Sequence, residues 1–290
     1  MSKLLPDKRE PTHKIQNRDG HELAVWVDEV PDSRSVFYGQ HGMFEGALAH
    51  INQKAAEALQ VSGFSTVFFD AANHGNYSGG KAENLTWDSH FADLDTVIEW
   101  GQRQEWASPR YGLYGRSLGA TSAFWHAAHN PEKVEVVIGL TVPVSGEKLW
   151  SAFDRATNGG WKKYRVLLSR NSVNGKHIDI VFDSEGKSHK YNLLDHAHKI
   201  TGPVLLMAGT EDKYVGIGDI EELFSKIPHH DKEKVIMQGQ DHFMLKDRRN
   251  FPLGEANEEA LSFICNSIQR WLEKIKMNGQ AFAPSRPSPG

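Results

Sequence analysis

The sequence predicts an α/β protein built around a mostly parallel sheet, and three observations carry that prediction. Strand-like and helix-like segments alternate along most of the chain. Three segments, 134–140, 203–209 and 234–237, are near-continuous apolar runs, the pattern of parallel strands covered on both faces. Before them lies Tyr111-Gly112-Leu113-Tyr114, then Gly115-Arg116-Ser117-Leu118-Gly119, then an Ala-rich stretch through Ala128. This reads as a strand, a tight glycine-flanked turn and a helix, the context in which Gly-x-Ser-x-Gly presents a serine hydroxyl at a strained apex.

The elements follow in order. Glu22–Val27 and Ser35–Tyr38 read as early strands, the first after an Asp19-Gly20 turn. Residues 47–60 place Ile51, Ala55, Ala58 and Leu59 at helical spacing. Ser65–Asp70 is a short β-branched and aromatic strand. Phe91, Leu94, Val97, Ile98 and Trp100 mark an amphipathic helix with Asp93 and Asp95 on other faces. A closing helix over 260–274 puts Leu261, Ile264, Ile268, Trp271 and Leu272 on one side.

Two segments depart from this rhythm. Residues 145–198 are too long for an ordinary crossover. They carry Trp150, Phe153, Trp161 and Tyr164, and a predicted hairpin of 178–183 against 188–193. We read 146–198 as a cap over the active site, against the alternative of a surface excursion; residues 1–145 and 199–277 then form the core. The tail, 278–290, has three prolines and little to bury, and is expected to be disordered.

Composition narrows the function. The chain has 290 residues, 39% hydrophobic and 24% charged, with a net charge of −4. That charge argues against nucleic acid or an acidic membrane as the main partner. No apolar run reaches transmembrane length, and the N-terminal residues lack a signal-peptide core, so a cytoplasmic location is expected. One cysteine, Cys265, permits neither an intrachain disulfide nor a cysteine zinc site.

A serine hydroxyl needs a base, and the base needs an orienting acid. Two loops after apolar strands supply them: Gly209-Thr210-Glu211-Asp212 and Gln240-Asp241-His242. Strand-end loops of this kind face the ligand side of an open α/β sheet. The predicted triad is Ser117, Asp212 and His242. Glu211 competes with Asp212, whereas Asp241 is disfavoured because adjacent residues rarely face each other. The oxyanion donors are expected to be the backbone N–H groups of Leu118 and of Met43, in the loop Gly39-Gln40-His41-Gly42-Met43. His41 is expected to brace that loop. Arg116 reads as half of a structural ion pair in preference to a substrate anion contact. Trp150, Phe153, Trp161, Tyr164 and Tyr214 are the expected substrate walls.

The His41-Gly42-Met43 loop, the segment Asp70–Gly79, the Ser117 elbow, the Asp212 loop and His242-Phe243 resemble, in that order, the α/β-hydrolase superfamily. The nearest flavour is the serine aminopeptidase-like and monoacylglycerol lipase-like group. The resemblance implies an eight-stranded sheet with helices on both faces, no metal and no organic cofactor. It implies acyl transfer through an acyl-enzyme, usually to water, with a small-molecule ester or acyl substrate. In the 70–79 turn Asn73 replaces a usual glycine, and His74 is expected to be structural. The leading expectation is a carboxylic-ester hydrolase of small or medium-sized substrates. Thioesterase or acyltransferase, amidase or peptidase, and carbon–carbon bond hydrolase share the same triad. A non-catalytic binding protein on the same fold is the remaining alternative.

Overall fold

The computed structural model describes residues 9–43, 45–74, 77–81, 84–156, 170–171, 177–178, 190–246 and 256–277. In chain order the elements are β1 (His13–Gln16), β2 (Glu22–Asp28), β3 (Val36–Gln40), α1 (His50–Val61), β4 (Ser65–Phe69), α2 (Trp87–Gly101) and β5 (Tyr111–Arg116). There follow α3 (Leu118–His129), β6 (Val134–Leu140), α4 (Gly146–Ala156), β7 (Arg170–Asn171) and β8 (His177–Ile178). Two 3-10 turns, Leu193–Asp195 and Ala197–Lys199, lead to β9 (Val204–Gly209), α5 (Ile217–Lys226), β10 (Lys232–Met237) and α6 (Glu258–Met277).

Eight strands form one sheet in the order β1-β2-β4-β3-β5-β6-β9-β10. Only β2 runs against its neighbours, β1 and β4. The other pairings are parallel. This is the α/β-hydrolase architecture. Alternation along the strands explains the apolar runs. In β9, Val204, Leu206 and Ala208 face a layer containing α2, α3 and α5, while Leu205 and Met207 face α1 and α6. Both faces of the central strands are covered, so both sets of side chains are apolar.

The differences from the sequence reading have local causes. β1 escapes it because its four residues, His-Lys-Ile-Gln, occupy an edge and are largely exposed. Such a strand needs no apolar alternation. Asp93 does not face solvent. It is 1% exposed and accepts hydrogen bonds from Asn17 Nδ2 and Ala72 N, both at 2.7 Å. It thereby ties α2 to the loop after β4. The segment between β6 and β9 holds a hairpin, but the described pairing is Arg170–Asn171 with His177–Ile178. Lys190–Leu193 is not a strand: Asn192 makes an isolated bridge to Ser145, and Leu193 opens a 3-10 turn. Residues 179–189 and the tail 278–290 lie outside the described residues. No helix among the described residues is long and apolar enough to cross a membrane.

Candidate active site

The elbow is built by close backbone approach. Ser117 has φ 51° and ψ −124°, a conformation that is costly for a non-glycine residue. Its flanking glycines are required by space. A Cβ on Gly115 would lie 2.3 Å from the Gly119 carbonyl oxygen, and one on Gly119 would lie 2.2 Å from that of Gln40. The spelling Gly-x-Ser-x-Gly thus records how tightly α3 seats on β5 and β3.

Three loops at one edge of the sheet converge on Ser117. His242 Nε2 lies 2.9 Å from Ser117 Oγ, and His242 Nδ1 lies 2.7 Å from Asp212 Oδ2. The Asp212 side chain is fully buried. Its other oxygen accepts from the backbone N–H groups of Tyr214 and Val215, at 2.8 and 2.9 Å. With the carboxylate on Nδ1, the ring carries its proton there and offers Nε2 as the acceptor for the serine O–H. Asp212, and not Glu211 or Asp241, meets the imidazole. Asp241 instead accepts from Phe243 N, 3.1 Å away.

The loop after β3 sits against the elbow, because a Cβ on Gly42 would lie 2.8 Å from Ser117 Cβ. His41 shapes that loop. Its Nε2 accepts from Ala71 N at 2.9 Å, so Nδ1 carries the hydrogen and donates to the Gly42 carbonyl at 2.7 Å. A planar trans peptide then turns the Met43 N–H away from that carbonyl. Leu118 opens α3, where first-turn N–H groups have no carbonyl of their own helix to bond. Behind the loop, the rings of His41, His74 and His90 contact one another, with centroids 4.7, 5.0 and 5.8 Å apart. All three are buried and neutral: burial pushes His41 down to about 4, His74 to about 3 and His90 well below its ordinary value. His74 is structural, donating from Nδ1 to the Ala72 carbonyl at 2.8 Å.

The turn after β4 is anchored by Asp70, whose two oxygens accept from Ala47 N at 2.6 Å and Tyr77 N at 3.0 Å. Burial raises its carboxyl to about 6 against those two donors. Asn73 occupies a left-handed position, φ 66°, where glycine is usual and asparagine is tolerated. Its side chain accepts from Lys81 N at 2.9 Å.

Arg116 is 1% exposed. Its guanidinium pairs with Glu45 through Nη1 and donates to the His242 carbonyl through Nη2 at 2.7 Å. It forms a buried ion pair, the arrangement expected for it from the sequence.

An apolar cluster joins the loop after β3 to the insertion. Met43, Leu118, Leu85, Trp87, Phe91, Leu149, Trp150, Phe153 and Tyr191 pack together, with Tyr214 against them. The apolar face of α4 supplies Leu149, Trp150 and Phe153. Tyr214 bridges to the base, its ring 5.0 Å from Phe153 and 5.2 Å from His242. The structure therefore brings Trp150, Phe153 and Tyr214 together beside Met43 and Leu118. Trp161 and Tyr164 lie outside the described residues. Trp87, Phe91 and Tyr191 were missed. Trp87 and Phe91 are spaced i, i+4 at the start of α2, a signal that could have marked a shared helix face but not which neighbour it met.

A serine at a strained elbow, bonded to a histidine that is bonded to a buried aspartate, lies on an eight-stranded α/β sheet. A family model described as serine aminopeptidase, S33, matches residues 31–191, more than half of the chain. The chain belongs to that family. Solved structures agree on the fold. Est1E from Butyrivibrio proteoclasticus, with ferulic acid bound, superposes with a TM-score of 0.72 at 18% identity, covering 91% of this chain and 100% of that one. Mouse alpha/beta hydrolase domain-containing protein 10 gives 0.69 at 18% identity, covering 91% and 98%. The Paleococcus ferrophilus monoacylglycerol lipase gives 0.62 at 23% identity, covering 86% and 99%. No curated protein sequence matches the chain.

One group among the described residues has metal-ligand spacing: His229, His230 and Asp231. It precedes β10, at the opposite end of that strand from His242, and His229 Nδ1 already accepts from Asp231 N at 3.0 Å.

Proposed function

We propose that the protein is a serine hydrolase that cleaves a carboxylic ester of a small or medium-sized substrate through an acyl-enzyme. The observation that carries this reading is the continuous hydrogen-bonded line Ser117–His242–Asp212, beside the loop of Met43 and the first turn of α3.

In this mechanism Ser117 Oγ attacks the ester carbonyl carbon while His242 Nε2 takes its proton. Asp212 holds the ring in the required tautomer and stabilises the imidazolium. Negative charge builds on the carbonyl oxygen and is met by the N–H groups of Met43 and Leu118. Losing one such donor typically costs about 100- to 1000-fold in rate. The tetrahedral adduct collapses, the C–O bond breaks, and His242 returns the proton to the leaving alcohol. Water, activated by the same nitrogen, then attacks the acyl-enzyme and releases the acid.

The substrate side is read from the apolar cluster. Residues 146–198 act as a cap, and α4 lays Trp150 and Phe153 beside the predicted oxyanion donors. Tyr214 closes the wall next to the base. Such a lining suits an apolar acyl or aryl group anchored by few polar contacts. The ferulic acid held by Est1E and the lipase activity named for the Paleococcus protein are both consistent with ester chemistry on this scaffold.

A fluorophosphonate probe with mass mapping tests the reading: Ser117 is expected to carry the label, and Ser117→Ala to abolish both labelling and turnover of p-nitrophenyl esters. An unlabelled wild-type chain would overturn the enzyme reading. Thioester and anilide analogues in the same panel separate the rival chemistries.

A further inference from the structure

His242 faces a reach problem. It follows β10, which is separated from β5 by β6 and β9 in the sheet order. At roughly 4.8 Å per strand, the base loop must return about 14 Å to meet Ser117. Asp212 holds the imidazole, but Asp212 follows β9, the strand next to β10. That bond fixes the ring relative to β9. It does not fix it relative to β5, where the nucleophile sits.

A second tether runs to β5 itself. Arg116 is the last residue of that strand and directly precedes Ser117. Its Nη2 donates to the His242 backbone carbonyl at 2.7 Å. The Phe243 ring lies 5.7 Å from the guanidinium carbon. The same guanidinium pairs with Glu45, three residues beyond Gly42 in the loop after β3. Gly42 leaves the room: a Cβ there would lie 3.2 Å from Arg116 Nη1. One buried planar fork therefore touches the nucleophile strand, the oxyanion loop and the base loop.

We propose that Arg116, neutralised and oriented by Glu45, is a positioning residue for the general base, holding the backbone of His242 at the distance Ser117 requires. The inference rests on the serine-hydrolase reading. A buried guanidinium needs a counter-charge, and Glu45 supplies it from the adjacent loop. Lysine cannot replace it, because a point charge lacks the two-direction fork that reaches Glu45 and the carbonyl together. Among the described residues, the other groups facing His242 are Ser117, Asp212 and the rings of Tyr214 and Phe243, with Asp241 preceding it in the chain.

The test compares Glu45→Gln, Arg116→Lys, Arg116→Met and the Glu45→Gln/Arg116→Met double variant, with p-nitrophenyl butyrate as substrate and melting curves as the folding control. A misplacement of about 1 Å at the reacting groups is worth about 100-fold in rate. Arg116→Lys and Arg116→Met are expected to lower kcat by about that factor with KM within about twofold, since neither residue touches substrate. The pH profile separates positioning from mere stability. Glu45→Gln leaves the guanidinium unneutralised beside the base, so the acid limb of kcat/KM moves to lower pH. Arg116→Met leaves Glu45 uncompensated, so the limb moves to higher pH, and the double variant returns towards wild type. Folded variants with wild-type kcat, or with acid limbs that do not move in opposite directions, would overturn the proposal. Should Arg116→Met fail to fold, the near-isosteric Glu45→Gln decides alone. If wild-type protein neither labels with fluorophosphonate nor turns over ester, the failure belongs to the serine-hydrolase reading; if wild type is active and Glu45→Gln matches it in kcat and pH profile, the failure belongs to the clamp.

Discussion

Replacing Asp212 with asparagine isolates the acid of the proposed triad without changing its shape. One oxygen of Asp212 accepts from Tyr214 N and Val215 N, and the other meets His242 Nδ1. An asparagine keeps the two backbone bonds only if its oxygen takes the first position and its NH2 group the second. Flipping the amide would forfeit both bonds and leave two buried N–H groups unpaired, about 1 to 3 kcal/mol each. The flip is thus closed, and an NH2 donor faces the ring. His242 must then present Nδ1 as an acceptor and carry its proton on Nε2, aimed at the serine. The base is in the wrong tautomer and the imidazolium has lost its counter-charge. In a triad of this type that change costs about 10000-fold in kcat, or about 5 kcal/mol of barrier. The assay is steady-state hydrolysis of p-nitrophenyl butyrate, with the melting temperature as control. We expect kcat to fall about 1000- to 10000-fold, with folding retained because the backbone bonds persist. Asp241→Asn is expected to change kcat by less than about twofold. Activity of Asp212→Asn within tenfold of wild type would refute the argument and return the choice to another carboxylate.

Three further outcomes are expected. Gly119→Ala would place a Cβ 2.2 Å from the Gln40 carbonyl oxygen and 2.5 Å from that of His41, so it should destabilise the fold by about 3 kcal/mol or more in a urea melt; unchanged stability would show that α3 is not seated on β3. Phe153→Ala, removing a ring that is 9% exposed, should raise KM more for butyrate and longer esters than for acetate, and equal effects on all chain lengths would place the ring outside the acyl wall. Acid stability follows from buried groups of opposite sign. His41 and His74 have folded values of about 4 and about 3, below the unfolded 6.5, so each withdraws about 3 to 5 kcal/mol as pH falls from 6.5 through those values. Asp70 and Asp93, raised to about 6 from 3.8, each return about 3 kcal/mol as pH falls from 6 to 3.8. His90, which burial holds well below its ordinary value, withdraws stability over the same range, so three histidines outweigh two carboxylates. The melting temperature should therefore fall progressively from pH 6 to 4; a constant or rising melting temperature over that range would contradict this balance.

Much of the fold was legible in the sequence because the central strands are covered on both faces. That geometry demands near-continuous apolar runs such as Val134–Leu140, and such runs are hard to mistake. β1 was not legible, since an exposed edge strand carries no such demand. The burial of Asp93 was not legible for a related reason. Periodicity places it off the apolar face, and cannot foresee that Asn17 and Ala72 will supply hydrogen bonds to it there.

The candidate site divides in the same way. Ser117, Asp212 and His242 were readable because each follows a recognisable strand, and strands of a parallel sheet deliver their following loops to one edge. The glycines around Ser117 were readable because close backbone approach excludes a side chain. What the sequence alone could not decide was every property that depends on distant segments meeting. It left Glu211 and Asp212 as competitors, where the structure sets Asp212 on the imidazole. It left Arg116 between a substrate contact and a structural pair, where the structure buries it against Glu45 and the His242 carbonyl. It did not show that Trp87, Phe91 and Tyr191 would join Trp150 and Phe153 beside Met43. Local pattern reports which face of an element is apolar and where a loop begins. Which faces meet, and which side chains fill the space between them, is settled only when the whole chain packs.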